Sequence, residues 1–362
     1  MKKIKIMFCV FIVAVCFQVL IFADTAEQKI LASDGADSDY FGHSVAISGD
    51  YAIVCAWGDD DNGSRSGSAY IFYRSEGIWS QQEKITANDG ADLDLFGYSV
   101  AISGDYAIVG ARGDDDNGSS SGSAYIFHRS GESWVQQEKI TASDGAADDL
   151  FGYSVAISGD YVIVGAYYDD DKGINSGSAY IYQRSGESWI QQEKITASDG
   201  ADYNAFGYSV AISGDFAIVG VYRDDDNGTN SGSAYIYQRS GESWGEQEKL
   251  TASDGVADDR FGYSVAISGD CVIVGADGDD DNGSVSGAAY IYQRSGESWS
   301  EQEKITASDG ADNSNFGHSV VISGDYAIVG AYADDFKGLN FGAAYIYQRS
   351  GESWIQQEKL TA

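Results

Sequence analysis

Three aspartates in a row recur at Asp59–Asp61, Asp114–Asp116, Asp169–Asp171, Asp224–Asp226 and Asp279–Asp281, each run 55 residues after the last. The first and third carboxylates of a run (Asp59 with Asp61, Asp114 with Asp116, Asp169 with Asp171, Asp224 with Asp226, Asp279 with Asp281) can point the same way and share an ion. Crowded hard oxygen donors suit Ca2+, the one cofactor the sequence suggests. The fit to a D-x-D-x-D-G loop is partial, because Gly118 stands where the third ligand belongs. Aspartates also close turns through Asx hydrogen bonds and stay hydrated, so the alternative is a solvated turn.

A second set of residues stands out by changing while its surroundings repeat. Just before the acidic runs come Trp57, Arg112, Tyr167 with Tyr168, Tyr222 with Arg223, Asp277 and Tyr332. Ahead of each Phe-Gly pair come Tyr40, Leu95, Leu150, Ala205, Arg260 and Asn315. Exposed aromatics and arginines are the groups used by protein hot spots and sugar-stacking sites. Trp57, Arg112, Tyr167, Tyr168, Tyr222, Arg223 and Tyr332 are therefore the candidate ligand-binding residues; unconstrained drift at loop margins is the competing explanation. Catalysis finds little support. His43, His128 and His318 are scattered, none near a recurrent nucleophile, and the repeated acids form no unique pair.

The elements that must position these residues follow from the repeat itself. Phe41, Phe96, Phe151, Phe206, Phe261 and Phe316 each precede glycine, and the spacing is again 55. One structural unit stacked six times is implied. In the second copy, Phe96, Tyr98, Val100 and Ile102 alternate with Gly97, Ser99 and Ala101, a strand with both faces covered. Ser103-Gly104-Asp105 turns the chain, and Tyr106–Ala111 is a second strand. A polar loop follows, then Ser123–His128, the turn Arg129–Glu132, and Trp134–Ala142. Polarity rises from first strand to fourth, as in a radial sheet running from the axis to solvent. The Gln-Gln-Glu-Lys run blunts the outer edge. The chain reads as an all-β fold, a β-propeller of four-stranded blades. In an up-and-down blade the acidic loops and the SDGAD loops before the next Phe-Gly emerge on one face.

Phe-Gly-x-Ser-Val-Ala, Ile-Val-Gly-Ala and Gly-Ser-Ala-Tyr-Ile resemble the FG-GAP repeats of the integrin α-subunit head. The resemblance is stronger still to bacterial-type FG-GAP repeats, with Lys-x-Thr-Ala-Ser-Asp-Gly ahead of Phe-Gly-Tyr-Ser-Val-Ala, and it covers residues 28–362. It implies an extracellular propeller, commonly of seven blades, that works in adhesion or recognition and often binds calcium. The Gly-Ala-Pro proline is absent here. The connection between first and second strands, where the integrin-type calcium cage sits, is only Ser-Gly-Asp, so that cage does not carry over. Six blades are visible, with a stray fourth strand at Glu27–Ala32 ahead of the first; closure into six or seven is left open. The resulting expectation is a non-enzymatic, secreted or cell-surface adhesion propeller recognising a protein or matrix partner. The alternative is a lectin-like propeller with glycan pockets between blades.

The formal charge of −34 speaks against nucleic acid or an anionic membrane surface as partner. Residues 1–23 combine Lys2, Lys3 and Lys5 with an apolar run from Ile6 to Phe22 and small residues after it, the layout of a signal peptide; an uncleaved anchor is the alternative. Of the four cysteines, Cys9 and Cys16 lie in that segment, while Cys55 and Cys271 occupy unrelated repeat positions that suit small buried hydrophobes.

Overall fold

The computed structural model describes residues 28–334 and 342–361. The leader at 1–23 and the end of the altered sixth acidic loop lie outside the described residues.

Six four-stranded antiparallel sheets, each with its strands in chain order, make a six-bladed β-propeller, and the described residues contain no helix. Blade 2 is typical: Phe96–Ser103, Tyr106–Ala111, Ser123–Ser130 and Ser133–Ile140. Its hairpin turns where expected, with Gly104 at a φ of 60°, a conformation glycine adopts without cost. The first strands of all six blades line one central cavity, so the axis-to-rim order holds.

Adjacent blades are glued by a shared core. Ile53, Cys55, Ile71 and Ile85 of blade 1 pack on Phe96, Val100, Ile102, Val109 and Trp134 of blade 2, and the pattern repeats from blade to blade. Each such Phe is fully buried, and burying a phenylalanine contributes about 1.5–3 kcal/mol. The Phe96 N–H also donates to the Ser66 carbonyl of the preceding blade at 3.0 Å, with equivalents in every later blade. Both described cysteines are free and buried, and burial pushes the Cys55 thiol up to about 12.

The expected alternation fails at one point. A β-bulge between Phe96 and Ser99 breaks the register, so Tyr98 leaves the inter-blade core that holds Phe96 and turns to the axis.

Candidate functional site

Two sets of side chains gather on the loop face. One lies inside each blade's acidic loop, the other around the axis.

In every blade a lysine from the outer strand swings back under the acidic loop. Lys139 Nζ lies 2.9 Å from Asp89, 2.8 Å from Asp114 and 2.6 Å from Asp116. Lys84, Lys194, Lys249 and Lys304 repeat the arrangement with Asp34, Asp59 and Asp61; Asp144, Asp169 and Asp171; Asp199, Asp224 and Asp226; and Asp254, Asp279 and Asp281. Lys359 meets Asp309 and Asp334. The buried Tyr125 hydroxyl donates to Asp114 at 2.9 Å, and the ammonium sits over its ring at 5.4 Å. The aspartates expected to share an ion thus share a cation that the chain itself supplies. A calcium ion does not fit this donor set, because the lysine ammonium stands where the carboxylates converge. Thermal melts in chelator and in millimolar calcium are expected to coincide; a rise of several degrees with calcium would contradict the lysine account.

The Gln-Gln-Glu-Lys lysine was expected at the solvent edge, yet its side chain is largely buried. Its recurrence at the same register as the aspartates was the available signal.

Electrostatics inside these loops divides the acids. Burial pushes the Asp89 carboxyl up, but bonds from Lys139 and Tyr125 and the ammonium's charge outweigh it and hold it below its ordinary 3.8. Asp144, Asp199, Asp254 and Asp309 behave alike, and in Asp34 the Lys84 bond leads. Asp94, Asp149 and Asp259 move the other way, to about 6, because burial outweighs the backbone N–H each accepts. The first group stabilises the fold above pH 3.8 and loses that contribution as pH falls. The second stabilises it below 3.8, where the acids are protonated in both states, and loses that contribution as pH rises toward 6. Melting temperature is expected to peak between about pH 4 and 5 and to fall toward 7. Asp149→Asn, which copies the natural Asn204 of blade 4, should shrink the neutral-side fall. A melting temperature climbing steadily from pH 5 to 7.5 would contradict this.

Around the axis, the bulge delivers a collar of rings: His43, Tyr98, Tyr153, Tyr208, Tyr263 and His318, one per blade. Successive centroids lie 5.1, 5.0, 5.0, 5.0 and 4.9 Å apart. They border a cavity of about 410 Å3. Burial, with the charges of Arg112 and His318, holds His43 below the ordinary imidazole value.

Above the collar stand the variable residues. Trp57 lies 6.0 Å from His43 and 6.4 Å from Tyr98, and stacks flat on Tyr40 at 4.3 Å. The Arg112 guanidinium covers Tyr98 at 4.2 Å. Tyr167 contacts Tyr153 at 4.3 Å, Tyr208 at 5.5 Å and Tyr168 at 4.1 Å. Tyr222 bridges Tyr208 and Tyr263, with Arg223 over its ring at 5.0 Å. Asp277, 2 % exposed, faces His318 Nδ1 at 3.2 Å and Arg260 at 3.7 Å. Tyr332 stacks on His318 at 5.0 Å and is 70 % exposed.

Trp57, Arg112, Tyr167 and Tyr222 each contact the collar rings of their own and the following blade, Tyr332 contacts His318, and Tyr168 and Arg223 lie against Tyr167 and Tyr222, so all seven candidate ligand-binding residues stand around one axial mouth. Trp57 Nε1, Arg112 Nε and Asp277 Oδ1 are buried there without a hydrogen-bond partner among the described residues. Tyr40, Leu95, Leu150, Ala205, Arg260 and Asn315, which bound the mouth, hold φ between 52° and 63°, left-handed backbone that costs non-glycine residues about 1–3 kcal/mol each. Sequence reasoning missed the constant tyrosines of the collar, which read as strand-face fillers.

A family model described as FG-GAP repeat matches residues 25–72, 79–127, 134–182, 189–237, 244–292 and 299–347. No curated protein matches the chain. A solved protein from Lactobacillus plantarum is similar in fold, with a TM-score of 0.58 at 12 % identity, covering 88 % of this chain and 84 % of that one.

Proposed function

The chain belongs to the FG-GAP repeat family, and from that premise we propose that it is a non-enzymatic binding propeller, secreted or displayed at the cell surface, that grips a protein or matrix partner at its axial mouth. The observation that carries this reading is the convergence of the varying residues. Six near-identical blades place their differing side chains around one mouth, where Trp57 Nε1 and Arg112 Nε are buried without a hydrogen-bond partner among the described residues. A partner that inserts a side chain into the collar pairs those atoms and removes ring surface from water, which is how anchor residues gain affinity.

The rim is predominantly basic. Arg112 of blade 2, Arg223 of blade 4 and Arg260 of blade 5 stand among the tyrosines of blades 3 and 4, while Asp277, 2 % exposed, is already paired with Arg260 and faces His318. A protein loop carrying an acidic group beside an apolar anchor matches this layout. The lectin alternative draws on the same aromatic rings, which also stack on sugars. Parallel arrays of extracellular proteins and of glycans decide between them. The proposal expects selective protein hits that weaken at least tenfold in Tyr222→Ala and in Arg112→Ala. Selective hits on glycans alone would favour the lectin, and silence on both arrays would overturn a binding function at this mouth.

A further inference from the structure

One register position, the residue just after the second strand, rings the axial mouth as Trp57, Arg112, Tyr167, Tyr222, Asp277 and Tyr332. Its chemistry is uneven around the ring. The phenols of blades 3, 4 and 6 can donate or accept a hydrogen bond, but an indole and a guanidinium only donate. Blades 1 and 2 therefore offer donors alone, and Trp57 Nε1 and Arg112 Nε are buried there with no acceptor among the described residues. Buried donors are rarely left unmade, because each has given up its bond to water. Asp277, the carboxylate at this register, belongs to blade 5 and already faces Arg260 at 3.7 Å and His318 at 3.2 Å.

Arginines set the charge of the mouth. The chain has 56 acidic side chains against 22 basic ones, so an arginine without a carboxylate stands out. Arg74, Arg129, Arg184, Arg239 and Arg294 each pair with the aspartate of their own blade's Ser-Gly-Asp turn on the opposite face. Arg65, Arg112 and Arg223 form no ion pair among the described residues. They stand instead over rings of the mouth, 5.9 Å from Trp57, 4.2 Å from Tyr98 and 5.0 Å from Tyr222. Burial and the neighbouring Tyr168 push the Tyr167 hydroxyl up, and the charge of Arg112 pulls it back. Burial pushes Tyr222 up, and Arg223 with Arg260 pulls it back.

Trp57 is held ready. Tyr40 stacks on it with the rings 6° apart, and a Cβ on Gly58 would lie 2.2 Å from the Ser38 carbonyl and 2.9 Å from the Tyr40 ring. Only glycine lets these two segments close on the indole. A donor fixed before its acceptor arrives loses little freedom on binding.

We propose that blades 1 and 2 form an oxyanion subsite of the mouth, with Trp57 Nε1 and Arg112 Nε as donors and Arg65 as a flanking charge, that takes the side-chain carboxylate of an aspartate or glutamate on the partner protein. This rests on the mouth being the binding surface. A carboxylate carries two acceptor oxygens and so can take both unmade donors, and bonds to an ionised acceptor are roughly twice as strong as neutral ones. The overall charge of −34 does not oppose it, since charges beyond about 8 Å are largely screened at physiological salt while the arginines are in contact.

The test follows the Trp57 indole N–H and the collar tyrosine rings by NMR of the isotope-labelled protein, with Trp57→Phe identifying the indole signal. The probes are acetyl-Tyr-Glu-Tyr-amide and the same peptide with glutamine or lysine at its centre, each at millimolar concentration. The glutamate peptide should shift the indole signal to saturation, the glutamine peptide should bind at least tenfold more weakly, and the lysine peptide should not bind. Arg112→Gln should weaken the glutamate peptide at least tenfold and leave the glutamine peptide unchanged, a difference that lost packing alone would not produce. Arg74→Gln, on the opposite face, should change neither. Equal binding of all three peptides at the collar would overturn the oxyanion subsite and leave the mouth as the binding surface. Saturation by sialyllactose with the glutamate peptide inert would overturn the assignment to a protein carboxylate and point to an acidic glycan. Silence of the indole and of the collar with every probe would overturn the subsite, while the mouth itself stands or falls separately on the array hits.

Discussion

Replacing Lys194 by methionine is expected to cost about 2–3 kcal/mol of unfolding free energy, between an exposed ion pair and a fully buried one, because Asp169 is buried while Asp144 and Asp171 are half exposed. The ammonium is largely buried and lies 2.7 Å from Asp144 and 2.9 Å from Asp169, with Asp171 also bonded to it. Asp169 is nearly inaccessible, and the Tyr180 hydroxyl, 2.9 Å from both Asp144 and Asp169, shares its one proton between them. Methionine preserves the stem's packing but leaves three carboxylates facing one another, so the loss reports uncompensated charge rather than a cavity. Urea unfolding of Lys194→Met, of Asp169→Asn and of the double variant would measure it. The double variant should recover part of the loss, because the two changes act on one network. A single-variant loss under about 1 kcal/mol would put the cluster among ordinary surface ion pairs.

The second large effect separates two glycines at equivalent repeat positions. Gly165→Ala places a methyl group 2.0 Å from the Gly207 carbonyl of the next blade, a backbone atom that cannot rotate away. Blades 3 and 4 must shift locally to admit it, as blades 1 and 2 do around Cys55 at the same register, at a cost of about 1–3 kcal/mol. Among the described residues, Gly330→Ala meets only the Ser319 hydroxyl, at 2.4 Å, and a hydroxyl can turn aside. Its cost should stay under about 1 kcal/mol. Equal losses in urea titrations of the two variants would mean that the Phe-Gly contact is not the tight point of the joint.

The blade was legible in the sequence because its signals are local. Alternation, the Ser-Gly-Asp turn and the polarity gradient each act within a few residues, and the strands fall within one or two residues of the expected limits. The collar was not legible: Tyr98 obeys the alternation on paper, and only the bulge at Gly97 turns it out of the core. The lysine cages were hidden for a different reason. Lys139 is separated from Asp89, Asp114 and Asp116 by tens of residues, so their contact appears only once the four strands of the blade are paired. The varying positions were legible as candidates, but their meeting at one mouth depends on the radial stacking of blades.

Hydrogen exchange on the complex with the strongest protein-array hit distinguishes binding at the axial mouth from binding anywhere else on the propeller. Backbone amides around residues 40–43, 56–58, 95–98, 111–113, 166–168, 221–223 and 276–278 should slow when the partner binds, while the outer strands from Trp79 to Trp354 keep their free rates. Slowing confined to the outer strands, or to the Arg-Ser-Gly-Glu turns of the opposite face, with the mouth unchanged, would contradict it.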